Sequence, residues 1–144
     1  MVTIRHVLLQ KGRKVHEIHP NASVIEALRL TAEYNVGALV VTDDIHLAGI
    51  VTERDYARKI ALKGRTSLET PVSEIMSSRV ICARLDQTVE ECMAIMTARA
   101  VRHLPVLEHK MIVGIVSIGD LVRSLIEDKQ FIIEQLEHYI HGDR

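Results

Sequence analysis

Two runs in the chain place a hydroxyl three residues ahead of a carboxylate, directly after a pair of branched apolar residues. They are GIVTERD at 49–55 and GIVSIGD at 114–120. Ile50–Val51 and Ile115–Val116 read as buried strand, and helical spacing begins after Thr52 and Ser117. One reading is a capping box, in which the Thr52 or Ser117 hydroxyl and the Asp55 or Asp120 carboxylate satisfy each other's orphan backbone donors. A second reading is a clamp for a ribose phosphate. The start of a helix gathers unbonded N–H groups and the positive end of the dipole, which attract phosphate. There a hydroxyl can donate to a phosphate oxygen, and a carboxylate can accept both ribose hydroxyls. The pair recurs at equivalent places, which a chance cap does not explain.

The recurrence extends well beyond the motif. Sliding the sequence by 65 residues aligns 15–64 with 80–129 without a gap, and 11 of 50 positions are identical. The chain is thus two copies of one unit of roughly 50 residues. Each copy has a short strand (Val15–Ile18; Val80–Ala83), then a helix opened by a capping box, Ser23-x-x-Glu26 or Thr88-x-x-Glu91. Val24, Ala27, Leu28, Thr31 and Ala32 share one helix face, as do Val89, Cys92, Met93 and Met96. Two apolar runs follow as a hairpin, Val36–Val41 with Leu47–Val51 and Val101–Leu107 with Met111–Val116. A second helix begins at the motif, so each copy reads β-α-β-β-α and the fold class is mixed α/β. Pro71 interrupts the connection, where Val72, Ile75 and Met76 supply an apolar helical turn. The expected organisation is a first repeat with the N-terminal segment over 1–66, a second repeat with the connecting segment over 67–127, and a C-terminal helix over 128–144. That last helix carries Phe131, Ile132, Leu136 and Tyr139, which pack either on their own domain or on a dimer partner.

Composition narrows the function. Eighteen basic against nineteen acidic side chains leave a net charge of −1, which argues against a nucleic-acid binder. Only 3% of residues are aromatic, so a planar ligand has to be gripped by aliphatic walls. No apolar run spans a bilayer, and MVTIRHVLLQKGRK lacks the hydrophobic core of a signal peptide. Cys82 and Cys92 lack metal or disulfide spacing and read as reduced, buried small hydrophobes of a cytoplasmic protein. His16/His19 and His138/His141 have i, i+3 spacing but no third ligand nearby. His103 has no activated nucleophile or orienting carboxylate to serve as a base, so an enzyme is not the expectation.

With its doubled Gly-Ile-Val-Ser/Thr-x-x-Asp, its Leu-Pro-Val at 104–106 and its ERDYARK at 53–59, the chain resembles the CBS (cystathionine β-synthase) domain family over residues 4–126. It is most like the stand-alone bacterial tandem pairs. The resemblance implies two β-α-β-β-α repeats packed as a pseudo-twofold module, with clefts that bind AMP, ADP, ATP, NAD(H) or S-adenosylmethionine. It also implies a homodimer and no obligatory cofactor. Carried over residue by residue, one cleft uses Thr52 and Asp55, with Ile50, Val80, Ile81 and Val101 around the base. The other uses Ser117 and Asp120, with Val15, His16, Val36, Gly37, Ala38 and Ile115. Arg102 and His103 are the first candidates for phosphate, with Arg54, Arg58, Lys14 and Arg79 behind them. The repeats differ at the motif, Glu53-Arg54 against Ile118-Gly119, and at Gly37-Ala38 against Arg102-His103, so the clefts are expected to be unequal. The leading expectation is a nucleotide-sensing regulatory module acting on a partner protein. The alternative is an interaction adaptor with vestigial clefts, docking through the apolar C-terminal helix.

Overall fold

The computed structural model describes residues 1–44 and 46–140. It contains two compact units: Lys14–Ile81, and Met1–Arg13 with the chain from Cys82 onward. The N-terminal segment therefore belongs with the second repeat, whereas the sequence reading had kept it with the first.

In the first unit β1 (Glu17–Ile18) pairs parallel with β2 (Ala38–Asp43), and β2 pairs antiparallel with β3 (His46–Thr52). The helix α2 (Val24–Tyr34) lies between β1 and β2 in the chain. Ser23 Oγ caps it by accepting the Glu26 N–H, which is the hydroxyl half of the expected box. Its buried side chains Val24 and Ala27 pack with Ile18, Leu39, Val41 and Val51. After Thr52 the chain makes one α-turn, α3 (Glu53–Tyr56), and then widens into a π-turn over Ala57–Ala61. The second unit repeats the plan with β4 (Ala83–Arg84), α4 (Val89–Arg99), β5 (His103–Glu108) and β6 (Met111–Ser117), in the same pairing order. Both hairpins shift register at the same place, Val41/Thr42 and Val106/Leu107. The first strands are shorter than expected and begin at Glu17 and Ala83, because only two residues of each pair with the neighbouring strand.

Each core is completed by a segment from outside its own repeat. In the first unit Val72 and Ile75, on the 3₁₀ turn Val72–Glu74, are at most 1% exposed and join the core. Val72 N–H donates to Ala22 C=O at 2.8 Å, Ser73 N–H to Pro20 C=O at 2.9 Å, and Val24 N–H to Thr70 C=O at 2.9 Å. The second unit copies this docking with α1 (Ile4–Lys11), which is capped by Thr3. Ile4 N–H donates to Gln87 C=O at 2.9 Å, Arg5 N–H to Leu85 C=O at 3.0 Å, and Val89 N–H to Val2 C=O at 3.0 Å. The repeat residues in these bonds are equivalent: Ala22 and Gln87, and Pro20 and Leu85, accept, while Val24 and Val89 donate. Ile4, Val7 and Leu8 are buried as Val72 and Ile75 are.

The last helix, α5 (Ile118–Ile140), runs unbroken from the motif, so the expected C-terminal helix is its continuation as far as Ile140, and residues 141–144 of that expectation lie outside the described residues. No Gly or Pro lies between Asp120 and Ile140 to stop it. Beyond Leu125 its apolar side chains are about half exposed or more, and every residue from Phe131 to Ile140 is exposed.

Gly49 and Gly114 sit where the docked segments press on the sheets. A Cβ at Gly49 would lie 2.7 Å from both Met76 Sδ and Ser77 C=O, and one at Gly114 would lie 2.8 Å from the Leu8 methyls. Gly49→Ala should therefore lower stability in urea unfolding by about 1–3 kcal/mol. Gly114→Ala should cost less, because it meets a flexible side-chain end. Neutral behaviour of both would show that the segments dock loosely. The α2 and α4 helices end in left-handed residues, Asn35 at φ 52° and Ala100 at φ 54°. Ala has no local means of relieving that conformation, so Ala100→Gly is expected to raise stability by about 1 kcal/mol in the same assay.

Candidate functional site

At the end of β3 the first motif is a closed capping box. Asp55 Oδ2 accepts the Thr52 N–H at 2.9 Å and the Thr52 hydroxyl at 3.1 Å, while Asp55 N–H donates to Thr52 Oγ1 at 3.3 Å. The Asp55 Oδ1 atom is held by the Lys59 ammonium at 3.1 Å, four residues along, and that ammonium also donates to Ile75 C=O at 2.8 Å. Thr52 lies opposite Ala38, and Glu53 N–H donates to Gly37 C=O at 3.1 Å, so Gly37 and Ala38 flank the start of the helix. Ile50 pairs with Ser77 through two backbone hydrogen bonds of 3.0 and 2.9 Å. From Ser77 the chain runs on to Arg79, Val80 and Ile81 within the same unit.

The second motif has the same core and a different charge partner. Ser117 N–H donates to Asp120 Oδ2 at 2.8 Å, and Asp120 N–H to Ser117 Oγ at 3.2 Å. The ammonium here is Lys11 of α1, 2.6 Å from Asp120 Oδ2 and 2.7 Å from Ile115 C=O. Arg123 reaches the other oxygen at 3.3 Å. Burial alone would push the Asp120 carboxyl up. The Lys11 and Ser117 hydrogen bonds and the Lys11 charge outweigh it and hold the group below its ordinary value. A cavity of about 190 Å³ opens beside this pair, lined in part by Gln10, Lys11, Asp120, Arg123 and Glu127.

Both readings of the motif thus describe the same atoms: the groups that could clamp a ribose phosphate are engaged in capping. The other expected residues are distributed between the units. His103 lies opposite Ser117, and Ile118 N–H donates to Arg102 C=O at 2.9 Å, so Val101, Arg102 and His103 lead into the strand beside the second motif. Sequence reasoning had put Val101 with the Thr52 motif, and Val36, Gly37 and Ala38 with the Ser117 motif. Within each unit the strand register makes Gly37–Ala38 direct neighbours of Thr52, and Arg102–His103 direct neighbours of Ser117. Lys14, Val15, His16, Arg54 and Arg58 belong to the first unit.

Three residues escaped the sequence reading. Lys11 lies ahead of the aligned repeats, and Lys59 was one charge in a polar run with only its i, i+4 spacing from Asp55 as a signal. Tyr34 stacks on His16 with ring centroids 3.9 Å apart, and Lys14 lies 5.8 Å over the same ring. An aromatic face is therefore present beside His16, one of the residues expected around the base. His19 Nδ1 accepts the Asn21 N–H, and His141 lies outside the described residues. Among the described residues no group of three His, Cys, Asp or Glu is placed to hold a metal, and no helix is long and apolar enough to cross a membrane. Cys82 and Cys92 are not joined in a disulfide, and burial pushes the Cys92 thiol up to about 11.

The family profile of the CBS domain matches residues 11–62 and again 72–127. The chain is a member of the CBS domain family. It is 37% identical to the mitochondrial CBS domain-containing protein CBSX3 of Arabidopsis thaliana, over 97% of this chain and 72% of that one. A protein with CBS domains from Burkholderia ambifaria has a solved structure that superposes with a TM-score of 0.86 at 45% identity. The match covers 88% of this CBS pair and 96% of that chain. The CBS domain pair of protein MJ0100, solved with 5′-methylthioadenosine and S-adenosyl-L-methionine, superposes with a TM-score of 0.78 at 25% identity. That match covers 89% of this pair and 98% of the other. The two three-stranded sheets with their helices are the CBS tandem architecture, and CBS pair proteins are regulatory.

The depressed Asp120 carboxyl makes this ion pair a pH-dependent contribution to stability. A group titrating lower in the folded state stabilises fully above its unfolded value, 3.8, and loses that contribution as pH falls through the folded value. Wild type should therefore exceed Asp120→Asn in urea stability at neutral pH, with the gap closing below about pH 4. A gap that persisted unchanged to acid would mean that the carboxylate charge adds nothing.

Proposed function

We propose that this CBS pair senses an adenosine-containing ligand at its two Thr/Ser-x-x-Asp motifs and passes occupancy to a partner protein as a conformational or dimer change. AMP is the first candidate, followed by ATP or ADP, NAD(H) and S-adenosylmethionine. The observation that carries the reading is the doubled site. In each unit a strand ends at a helix start where a hydroxyl, a carboxylate and backbone N–H groups converge. The methylthioadenosine and S-adenosylmethionine in the MJ0100 pair support the ligand class. In this reading Thr52 and Ser117 meet phosphate, and Asp55 and Asp120 meet ribose. Ile50, Val80, Ile81, Val101, Val15, His16, Val36, Gly37, Ala38 and Ile115 surround the bases. Arg102 and His103 lead the phosphate-facing cations, joined by Arg54, Arg58, Lys14 and Arg79. The protein is a cytoplasmic regulator without catalysis of its own. A ligand can move such a module only by its differential affinity for two conformations.

The exposed face of α5 favours a protein contact in addition. Ile126, Phe131, Ile133, Leu136 and Ile140 are each more than half exposed. A second copy of the chain is the expected occupant. The alternative reading keeps this face as an adaptor surface and leaves the nucleotide sites vestigial.

Calorimetric titration of AMP into wild type, Asp55→Ala and Asp120→Ala tests the sensing reading. The two sites have different charge partners, so the losses in affinity should be unequal. Equal losses would contradict unequal sites. No heat, and no rise in melting temperature with AMP, ATP or NADH at millimolar concentration, would favour the adaptor.

A further inference from the structure

The two repeats solve one electrostatic problem differently, and the difference selects one residue. In the first unit the ammonium on the motif carboxylate comes from Lys59 on the motif's own helix. The equivalent residue of the second repeat is Ser124, which is buried and has no charge to offer. The ammonium instead arrives from the docked segment, as Lys11 on the last turn of α1. Lys11 also takes over a second task. In the first unit Ile50 C=O accepts a backbone N–H from the docked segment, that of Ser77 at 2.9 Å. In the second unit the equivalent carbonyl, that of Ile115, accepts Lys11 Nζ at 2.7 Å. One side chain thus ties α1 to both the end of β6 and the motif.

We infer that Lys11 is a coupling residue: it competes with ligand hydroxyls for the Asp120 carboxylate, so that occupancy of this site loosens the docking of the N-terminal helix. The inference rests on the nucleotide reading above. Asp120 Oδ2 already accepts the Ser117 N–H and Lys11 Nζ, which fills its two lone-pair directions. A ribose that uses both carboxylate oxygens has to displace Lys11, because the Ser117 N–H is fixed by the helix cap. The ammonium is one-third exposed and can turn to water, whereas Ile4, Val7 and Leu8 remain to hold the rest of α1. Release therefore frees the C-terminal turn of α1 rather than the whole helix. At Asp55 the same displacement leaves Lys59 on its own helix and still within reach of Ile75 C=O, so the first site lacks this output.

The test uses adenosine, an uncharged probe that isolates the ribose, on the full chain. Affinity is read by calorimetry and α1 docking by hydrogen exchange of the amides of residues 8–12. In wild type, adenosine should speed exchange at these amides severalfold. Lys11→Met should bind adenosine about tenfold more tightly, since a charge-assisted competitor is gone, and should show no ligand effect on exchange. The double variant Lys11→Met/Ser124→Lys moves the ammonium to the place it has in the first repeat. It should return affinity toward wild type while exchange stays indifferent to ligand. Unchanged or weaker adenosine binding in Lys11→Met, with AMP binding still lost in Asp120→Ala, would overturn the coupling and leave the sensing reading intact. Absence of any AMP or adenosine binding to wild type would sink both.

Discussion

Each repeat closes its hydrophobic core with chain that lies outside it, and the rest of the structure depends on that docking. A unit of roughly 50 residues buries too small a share of its surface to be comfortably stable by itself. Val72 and Ile75 on one unit, and Ile4, Val7 and Leu8 on the other, supply side chains whose burial is each worth about 1.5–3 kcal/mol. The backbone makes the placement specific as well as favourable. Three hydrogen bonds recur in both units at equivalent residues of the repeats, two accepting and one donating, and they put each segment against the glycine in the middle of the last strand. Gly49 and Gly114 are matched in the repeat because a side chain there would collide with the segment.

The docked segments also reach the motif. The strand-to-helix turn needs its first N–H groups satisfied, and Thr52–Asp55 and Ser117–Asp120 do this reciprocally. A carboxylate largely buried at such a turn attracts a cation, and in both units the cation that arrives also bonds a backbone carbonyl: Lys59 to Ile75 of the docked segment, Lys11 to Ile115 at the end of β6. The capping and ligand-binding readings are therefore compatible, since in the proposed sensing role a ligand would take over interactions the cap and the ammonium already make. In that role the work a ligand would do on the module is the exchange of one set of partners for the other.

Non-equivalence of the repeats follows from a few positions. Lys59 against Ser124 decides which element supplies the ammonium. Gly37-Ala38 against Arg102-His103 decides what charge stands beside the helix start. The π-turn over Ala57–Ala61 interrupts the first repeat's helix, while α5 continues as regular helix for 23 residues. Its last turns leave their apolar side chains about half exposed or more, unlike an amphipathic helix whose apolar stripe is satisfied.

Much of the architecture was legible in the order of residues. The 65-residue repeat, the Ser23 and Thr88 caps, the hairpins and the motif pair are local or periodic features, and hydrogen-bond geometry within a few residues enforces them. The same holds for Thr52 with Asp55 and Ser117 with Asp120, whose spacing alone brings hydroxyl and carboxylate together. What sequence could not decide was any contact whose partners are remote. It kept the N-terminal segment with the nearer repeat, because chain proximity gives no sign that Ile4 and Leu8 are buried in the farther one. It missed Lys11 because a lysine at the end of a short helix is ordinary until packing sets it 2.6 Å from a carboxylate 109 residues away. Strand register likewise sets which residues stand beside each motif, Gly37–Ala38 at Thr52 and Arg102–His103 at Ser117, and it is fixed by which strands meet and not by any one strand's composition. Sequence determined the two units and their motifs, and tertiary structure decided which segment completes each unit and which charge guards each carboxylate.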